Sequence, residues 1–152
     1  MGTVIAALVG TVIVLLRKLK VERNKRMKSS RQALSSSPTG PTLLVVDDEP
    51  LFLSWARRFL TRNNYQVVLC AGYHDVKHEM ESGRHVDLLV TDIALREGAT
   101  GRLIADLVKH YQPKAPVIYV SGYDNIEVGD KILLKPFEAD VLLTLIREKL
   151  TS

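Results

Sequence analysis

Polar side chains of chemically useful types follow short apolar runs in this sequence of 152 residues. An acidic pair ends the first of these runs, a lone acid ends the third, a hydroxyl ends the fourth and a lysine ends the fifth. In chain order these residues are Asp47 and Asp48, Asp92, Ser121, and Lys135. If the runs are strands of one parallel sheet, their carboxyl ends share one edge, where such folds place their sites.

Three carboxylates at one edge repel each other unless a cation lies among them, and hard oxygen donors favour Mg²⁺. A lysine ammonium and a serine hydroxyl can bind the oxygens of a phosphoryl group. One of the carboxylates can then attack phosphorus, while the other groups supply position and charge neutralisation. Each residue alone has an ordinary structural explanation as a helix cap or a turn. The coincidence of all five at one sheet edge favours the chemical interpretation.

The elements that must position these residues alternate along the chain. The predicted strands are 43–46, 66–70, 86–91, 116–120 and 131–134. Apolar residues at helical spacing fill the intervals, and the predicted closing-helix stripe is Val141, Leu142, Leu145, Ile146 and Leu150. Alternation of this kind predicts an α/β fold, in which a doubly wound parallel sheet carries helices on both faces.

Four segments, LLVVDDE, DLLVTD, VIYVSG and LLKPF, occur in this order at the expected strand ends. Together they resemble the receiver domain of bacterial response regulators over residues 43–152. The resemblance implies a flavodoxin-like five-stranded parallel sheet of order 2-1-3-4-5. It also implies that a histidine kinase or a histidine phosphotransfer protein donates a phosphoryl group, in a two-component phosphorelay.

The resemblance implies a role for each residue of the site. Asp92 is the phosphoacceptor, Ser121 and Lys135 hold the phosphoryl group, and the peptide bond before Pro136 is cis. The implied Mg²⁺ ligands are Asp48, Asp92, the carbonyl of Ala94 and, usually through water, Asp47.

Three features depart from the family pattern. Arg96 stands where most members have proline, and Ile132 stands where an aromatic residue is common. Only thirteen residues separate Ser121 from Lys135, so we expect a shortened fourth helix of the receiver fold.

The sequence ends just past the last predicted helix, and we therefore expect a single-domain phosphoacceptor, not an enzyme with its own output domain. A non-phosphorylated receiver-like scaffold that binds a partner protein is the alternative. An autonomous phosphatase is disfavoured. Such enzymes commonly carry a second Asp as acid/base two residues after the nucleophile, and that position here is Ala94.

The first residues suggest a membrane location. Residues 1–16 carry no charge and, as a helix, would span roughly 24 Å. We predict a membrane anchor over 1–16, a basic collar over 17–34 and a linker over 35–42. The collar could contact lipid headgroups or act only as a stop-transfer signal. The positive-inside rule then predicts a single-pass protein of the inner membrane with its receiver domain in the cytoplasm.

The charge distribution disfavours a nucleic-acid partner. Residues 17–31 hold eight basic side chains and one acid, which leaves 13 basic and 16 acidic side chains elsewhere. The expected partners are a phosphoryl donor protein, the membrane and an output protein that the sequence does not identify. Cys70, the single cysteine, is predicted to be buried, and His74 and His78 are predicted to lie on a solvated helix face.

Overall fold

The computed structural model of the chain describes residues 2–35, 37–123 and 132–152. The chain divides into two compact units, Met1–Ser37 and Pro38–Ser152. The first unit contains one helix, α1 (Gly2–Ser35), whose described side chains from Val4 to Lys28 are exposed. The second unit holds the sheet and its covering helices.

The predicted membrane anchor, and with it the single-pass inner-membrane location, is wrong. Within the residues that the structure describes, no helix combines the length and the apolar character needed to cross a membrane. The physical reason is the early appearance of charge in α1, since Arg17 and Lys18 directly follow the uncharged stretch. That stretch falls short of the ~30 Å of a bilayer's hydrocarbon core.

The second unit is built on a five-stranded sheet of order β2-β1-β3-β4-β5 with every neighbouring pair parallel. Its strands are β1 (Thr42–Val46), β2 (Gln66–Cys70), β3 (Leu88–Asp92), β4 (Val117–Ser121) and β5 (Ile132–Leu134). The predicted order and direction are confirmed. The central strands β1, β3 and β4 are almost wholly buried, which explains their continuous apolar sequences.

Helices pack on both faces of this sheet. They are α2 (Pro50–Arg62), α3 (Tyr73–Glu81), α4 (Gly101–Tyr111) and α5 (Ala139–Leu150), with a short 3₁₀ turn at Arg96–Gly98. Pro50 lies in the first turn of α2, where its missing N–H costs no hydrogen bond. Thr100 caps α4 by accepting a hydrogen bond from the Leu103 amide at 3.3 Å.

Two apolar clusters separated by the sheet form the core. One lies under α3 and α4 and includes Val76, Met80, Ile104 and Val108. The other lies under α2 and α5 and includes Ala56, Leu60, Leu142 and Ile146. The predicted shortening of the connection between β4 and β5 concerns residues 124–131, which lie outside the described residues.

Candidate functional site

The sheet brings the three predicted acids together at its carboxyl edge. Asp47 and Asp48 directly follow β1, and Asp92 ends the neighbouring β3. One carboxylate oxygen from each lies within 4.8 Å of the others. Their environments differ, because the side chain of Asp47 is 1% exposed while that of Asp48 is 22% exposed and that of Asp92 is 13% exposed.

Lys135 reaches this cluster from the end of β5. Its backbone N–H donates to the Ser121 carbonyl at 2.8 Å, which fixes the strand end beside β4. Its Nζ donates to Asp47 Oδ2 at 2.6 Å and to Asp92 Oδ2 at 3.5 Å. The Phe52 ring lies beneath the ammonium group, 4.2 Å from Nζ to the ring centroid. The Lys135–Pro136 bond is cis, as predicted.

Burial and charge act in opposite directions on the ionisable groups of the site. Burial works to lower the pKa of Lys135, but the hydrogen bond and charge of Asp47, together with Asp92, outweigh it and raise that pKa above its usual value. Burial raises the pKa of Asp92, although the Ala94 amide and the Lys135 charge oppose the shift. Lys135 is therefore held as a cation beside Asp92.

The backbone around Asp92 fixes the direction of its carboxylate. The Ala94 N–H donates to Asp92 Oδ1 at 3.1 Å, and the Gly101 N–H donates to the Ile93 carbonyl at 2.8 Å. A Cβ on Gly101 would lie 2.5 Å from the Asp92 carbonyl oxygen, so a larger residue there would push against the acceptor strand. Glycine at this position allows α4 to begin directly against β3.

Ser121 ends β4 and is fully buried. Its hydroxyl oxygen accepts a hydrogen bond from the Tyr123 amide at 3.0 Å. In the sheet register, Asp92 pairs with Val120 and Ser121 pairs with Leu134, so Ser121 lies between the strand ends that carry Asp92 and Lys135. The structure thus brings all five predicted strand-end residues to one edge.

One contact at this edge was not predicted from the sequence. The Arg96 amide donates to Asp48 Oδ2 at 3.0 Å, and its Nε lies 3.3 Å from the same oxygen. The sequence identified Arg96 only as a departure from proline. Its position depends on the loop conformation, in which Glu97 and Gly98 adopt positive φ values of 62° and 75°.

The arrangement of donors fits a hard divalent cation. Asp47 is already engaged, since its Oδ1 accepts from the Glu49 amide at 2.8 Å and its Oδ2 accepts from Lys135. Asp48 and Asp92 are partly exposed and present carboxylate oxygens toward the same space. Oxygen donors at this density are those that Mg²⁺ prefers, and the prior engagement of Asp47 suits contact through water.

Comparisons with known proteins agree with this geometry. The sequence matches the response regulator receiver domain family over residues 43–147. Among curated proteins, it is 27% identical over 114 residues to the putative two-component response regulator-like APRR4 of Arabidopsis thaliana, covering 74% of this chain and 38% of that protein. It is also 27% identical to the nitrogen assimilation regulatory protein NtrX of Azorhizobium caulinodans, covering 72% of this chain and 26% of that protein. The alignments thus span well under half of these relatives.

Two solved structures are similar over nearly their whole length. A response regulator receiver protein from Sinorhizobium medicae has a TM-score of 0.68 and 28% identity, covering 75% of this chain and 97% of that structure. The receiver domain of the hybrid histidine kinase CckA has a TM-score of 0.63 and 28% identity, covering 72% and 98%. Since the family match extends over more than half of the sequence and the fold and strand order agree with it, this chain belongs to the response regulator receiver domain family.

Proposed function

We propose that this chain accepts a phosphoryl group on Asp92 from a phosphohistidine of a histidine kinase or a histidine phosphotransfer protein. Receiver domains of two-component systems interact with proteins of these two kinds. One observation carries the proposal: the Asp92 carboxylate is partly exposed at the sheet edge, near both Asp48 and a lysine. Its oxygens lie within 4.8 Å of an Asp48 oxygen and 3.5 Å from the Lys135 ammonium. A carboxylate with a purely structural role would not need to be accessible to a phosphoryl donor.

The other residues have distinct roles in the proposal. Receiver domains typically bind Mg²⁺ at an aspartate cluster, and here Asp48, Asp92 and the Ala94 carbonyl would hold it, with Asp47 acting through water. The cation would neutralise carboxylate and phosphoryl charge. Lys135 would bind one phosphoryl oxygen as a point charge, and the Ser121 hydroxyl would donate to another. The Ala94 amide would keep Asp92 aimed toward phosphorus.

The transfer exchanges one bond for another. An Asp92 carboxylate oxygen forms a bond to phosphorus while the phosphorus–nitrogen bond of the donor histidine breaks, and the departing imidazole takes up a proton from water. The transition state is loose, so position and charge neutralisation supply most of the acceleration. Lys135 remains protonated throughout, which is consistent with its raised pKa.

Phosphorylation by a small donor provides the test. The full-length chain is incubated with acetyl phosphate and Mg²⁺ and analysed by intact mass spectrometry. We expect one added phosphoryl group in the wild type and none in Asp92→Asn or in a reaction with EDTA. Asp106→Asn is the matched control, because Asp106 is an exposed acid on α4, and this variant should react like the wild type.

An unmodified wild-type chain at saturating donor and Mg²⁺ would contradict the proposal. That result would favour the alternative, a receiver-like scaffold that binds a partner protein without phosphorylation. Equal labelling of Asp92→Asn and the wild type would instead place the phosphoryl group on another residue.

A further inference from the structure

Arg96 lies at the exposed side of the acidic cluster, beside Asp48. Both its backbone N–H and its guanidinium Nε approach Asp48 Oδ2, at 3.0 Å and 3.3 Å. Asp48 is also, with Asp92, one of the two acids proposed above to bind Mg²⁺ directly. The same carboxylate is therefore the partner of a protein cation and the proposed ligand of a metal cation.

The loop that carries Arg96 has a defined shape. The Leu95 amide donates to the Ala99 carbonyl at 3.3 Å, which closes a tight turn over the intervening residues. Within that turn Glu97 lies in the left-handed region at φ 62°, an uncommon conformation for a residue other than glycine. This turn directs the start of the 3₁₀ segment, and with it Arg96, toward the end of β1.

The cations Lys135 and Arg96 contact the acids of this edge in different ways. Lys135 lies 2.6 Å from Asp47, which is buried and also accepts from the Glu49 amide, and it lies farther, 3.5 Å, from Asp92. Arg96 contacts the partly exposed Asp48, and its own side chain is 83% exposed. An exposed guanidinium can swing into solvent at little cost when a stronger cation arrives.

We propose that the Arg96 guanidinium is an internal counter-ion that competes with Mg²⁺ for Asp48. The inference rests on the proposed function, because it assumes that Asp48 is a metal ligand. In the absence of metal, Arg96 offsets part of the repulsion among the three acids. When Mg²⁺ binds, the guanidinium leaves Asp48, so the residue weakens metal affinity while it supports the metal-free fold.

The test compares Mg²⁺ binding and thermal unfolding in three full-length chains. Arg96→Ala removes the guanidinium but keeps the backbone N–H that donates to Asp48. Arg102→Ala is the matched control, because it removes an equal charge from an exposed residue at the start of α4. Binding is measured by isothermal titration calorimetry with MgCl₂, and unfolding is followed with and without saturating Mg²⁺.

We expect Arg96→Ala to bind Mg²⁺ about twofold to fivefold more tightly than the wild type, the range that an exposed ion pair can contribute. We expect Arg96→Ala to unfold at a lower temperature than the wild type without metal and to lose most of that difference with saturating Mg²⁺. Arg102→Ala should change neither measurement by as much. A purely structural role for Arg96 would lower the unfolding temperature equally in both conditions.

That equal loss of stability would overturn the inference, and so would three results of the binding measurement. An Arg96→Ala chain that binds Mg²⁺ with wild-type affinity would show that the guanidinium does not compete with Mg²⁺ for Asp48. An equal gain in Arg102→Ala would assign the effect to general surface charge. Absence of Mg²⁺ binding in all three chains would reject the proposed metal site itself, and the inference would fail with it.

Discussion

Two of the ion pairs at the sheet edge, Asp47–Lys135 and Asp48–Arg96, use the same chemistry in different surroundings. The inner pair joins Asp47 to Lys135 at 2.6 Å, with side chains 1% and 20% exposed. The outer pair joins Asp48 to Arg96 at 3.3 Å, with side chains 22% and 83% exposed. The adjacent acids Asp47 and Asp48 therefore face a partly buried lysine and a solvated arginine, respectively.

This difference in exposure separates the part of the site that is fixed from the part that can change. A buried pair that loses one partner leaves an uncompensated charge, which costs several kcal/mol, whereas an exposed pair contributes about 0–1 kcal/mol. We infer that the inner pair belongs to the framework that holds Lys135 near Asp92. The outer pair is weak enough to be replaced by a bound cation.

The largest expected effect concerns the apolar cluster under α3 and α4, which contains Cys70. Cys70 ends β2, its carbonyl accepts the Asp47 amide at 3.1 Å, and it is buried. Burial, followed by the charges of Asp75 and Glu79, raises the pKa of its thiol to about 12, from a usual value of 9.0. At pH 8 we expect iodoacetamide to alkylate the native chain roughly 1,000-fold more slowly than the urea-unfolded chain, because the thiolate is the nucleophile.

The sign of the linked stability effect follows from the same shift. Between pH 9 and pH 12 the unfolded chain binds fewer protons than the native chain, so this thiol should lower the free energy of unfolding as the pH rises. Rapid alkylation of the native chain at pH 8 would show that the end of β2 and the apolar cluster under α3 and α4 are open to solvent.

The second prediction compares the two cations directly. Lys135→Met should lower the free energy of unfolding by about 3 kcal/mol in the absence of metal, because it leaves Asp47 buried without its cation. Arg96→Met should lower it by less than about 1 kcal/mol, because water replaces the guanidinium. Urea unfolding of both variants measures the difference. Similar losses at the two positions would mean that burial does not separate the pairs.

The smallest expected effect concerns the aromatic support of the inner pair. Phe52 lies 4.2 Å from the Lys135 ammonium, and it also packs on Trp55, with ring centroids 5.5 Å apart. In a double-mutant cycle, Phe52→Leu and Lys135→Met should show a coupling of about 0.5–1 kcal/mol. Phe59→Leu is the control, because Phe59 stacks on Trp55 at 5.1 Å, and its cycle with Lys135→Met should be additive. Additivity in both cycles would remove Phe52 as a support for Lys135.

Much of the fold could be predicted because it depends on local pattern. Continuous apolar runs indicated the five strands, and β2 was predicted with its observed bounds. Burial of Cys70 and exposure of His74 and His78 are also confirmed. These features depend on the types of a few neighbouring residues, and those can be read directly from the sequence.

Features that depend on orientation or loop shape could not be predicted as well. In α5, the predicted core stripe included Val141, which is 45% exposed, and omitted Leu143, which is buried. The sequence there is apolar at five of six positions, so periodicity alone does not select the buried face. The contact of Arg96 with Asp48 depends on the turn around Glu97, a conformation that residue types do not determine.

The proposed acceptor is tested most directly by locating the phosphoryl group within the chain. The full-length protein is phosphorylated with acetyl phosphate and Mg²⁺, and the acyl phosphate is reduced with borohydride, which converts a phosphorylated aspartate into homoserine. Peptide sequencing by tandem mass spectrometry then identifies the converted position. We expect homoserine at position 92 and unchanged aspartate at Asp47 and Asp48. Conversion at either of these acids, or no conversion in a chain that carries phosphate, would contradict the assignment of Asp92 as the acceptor.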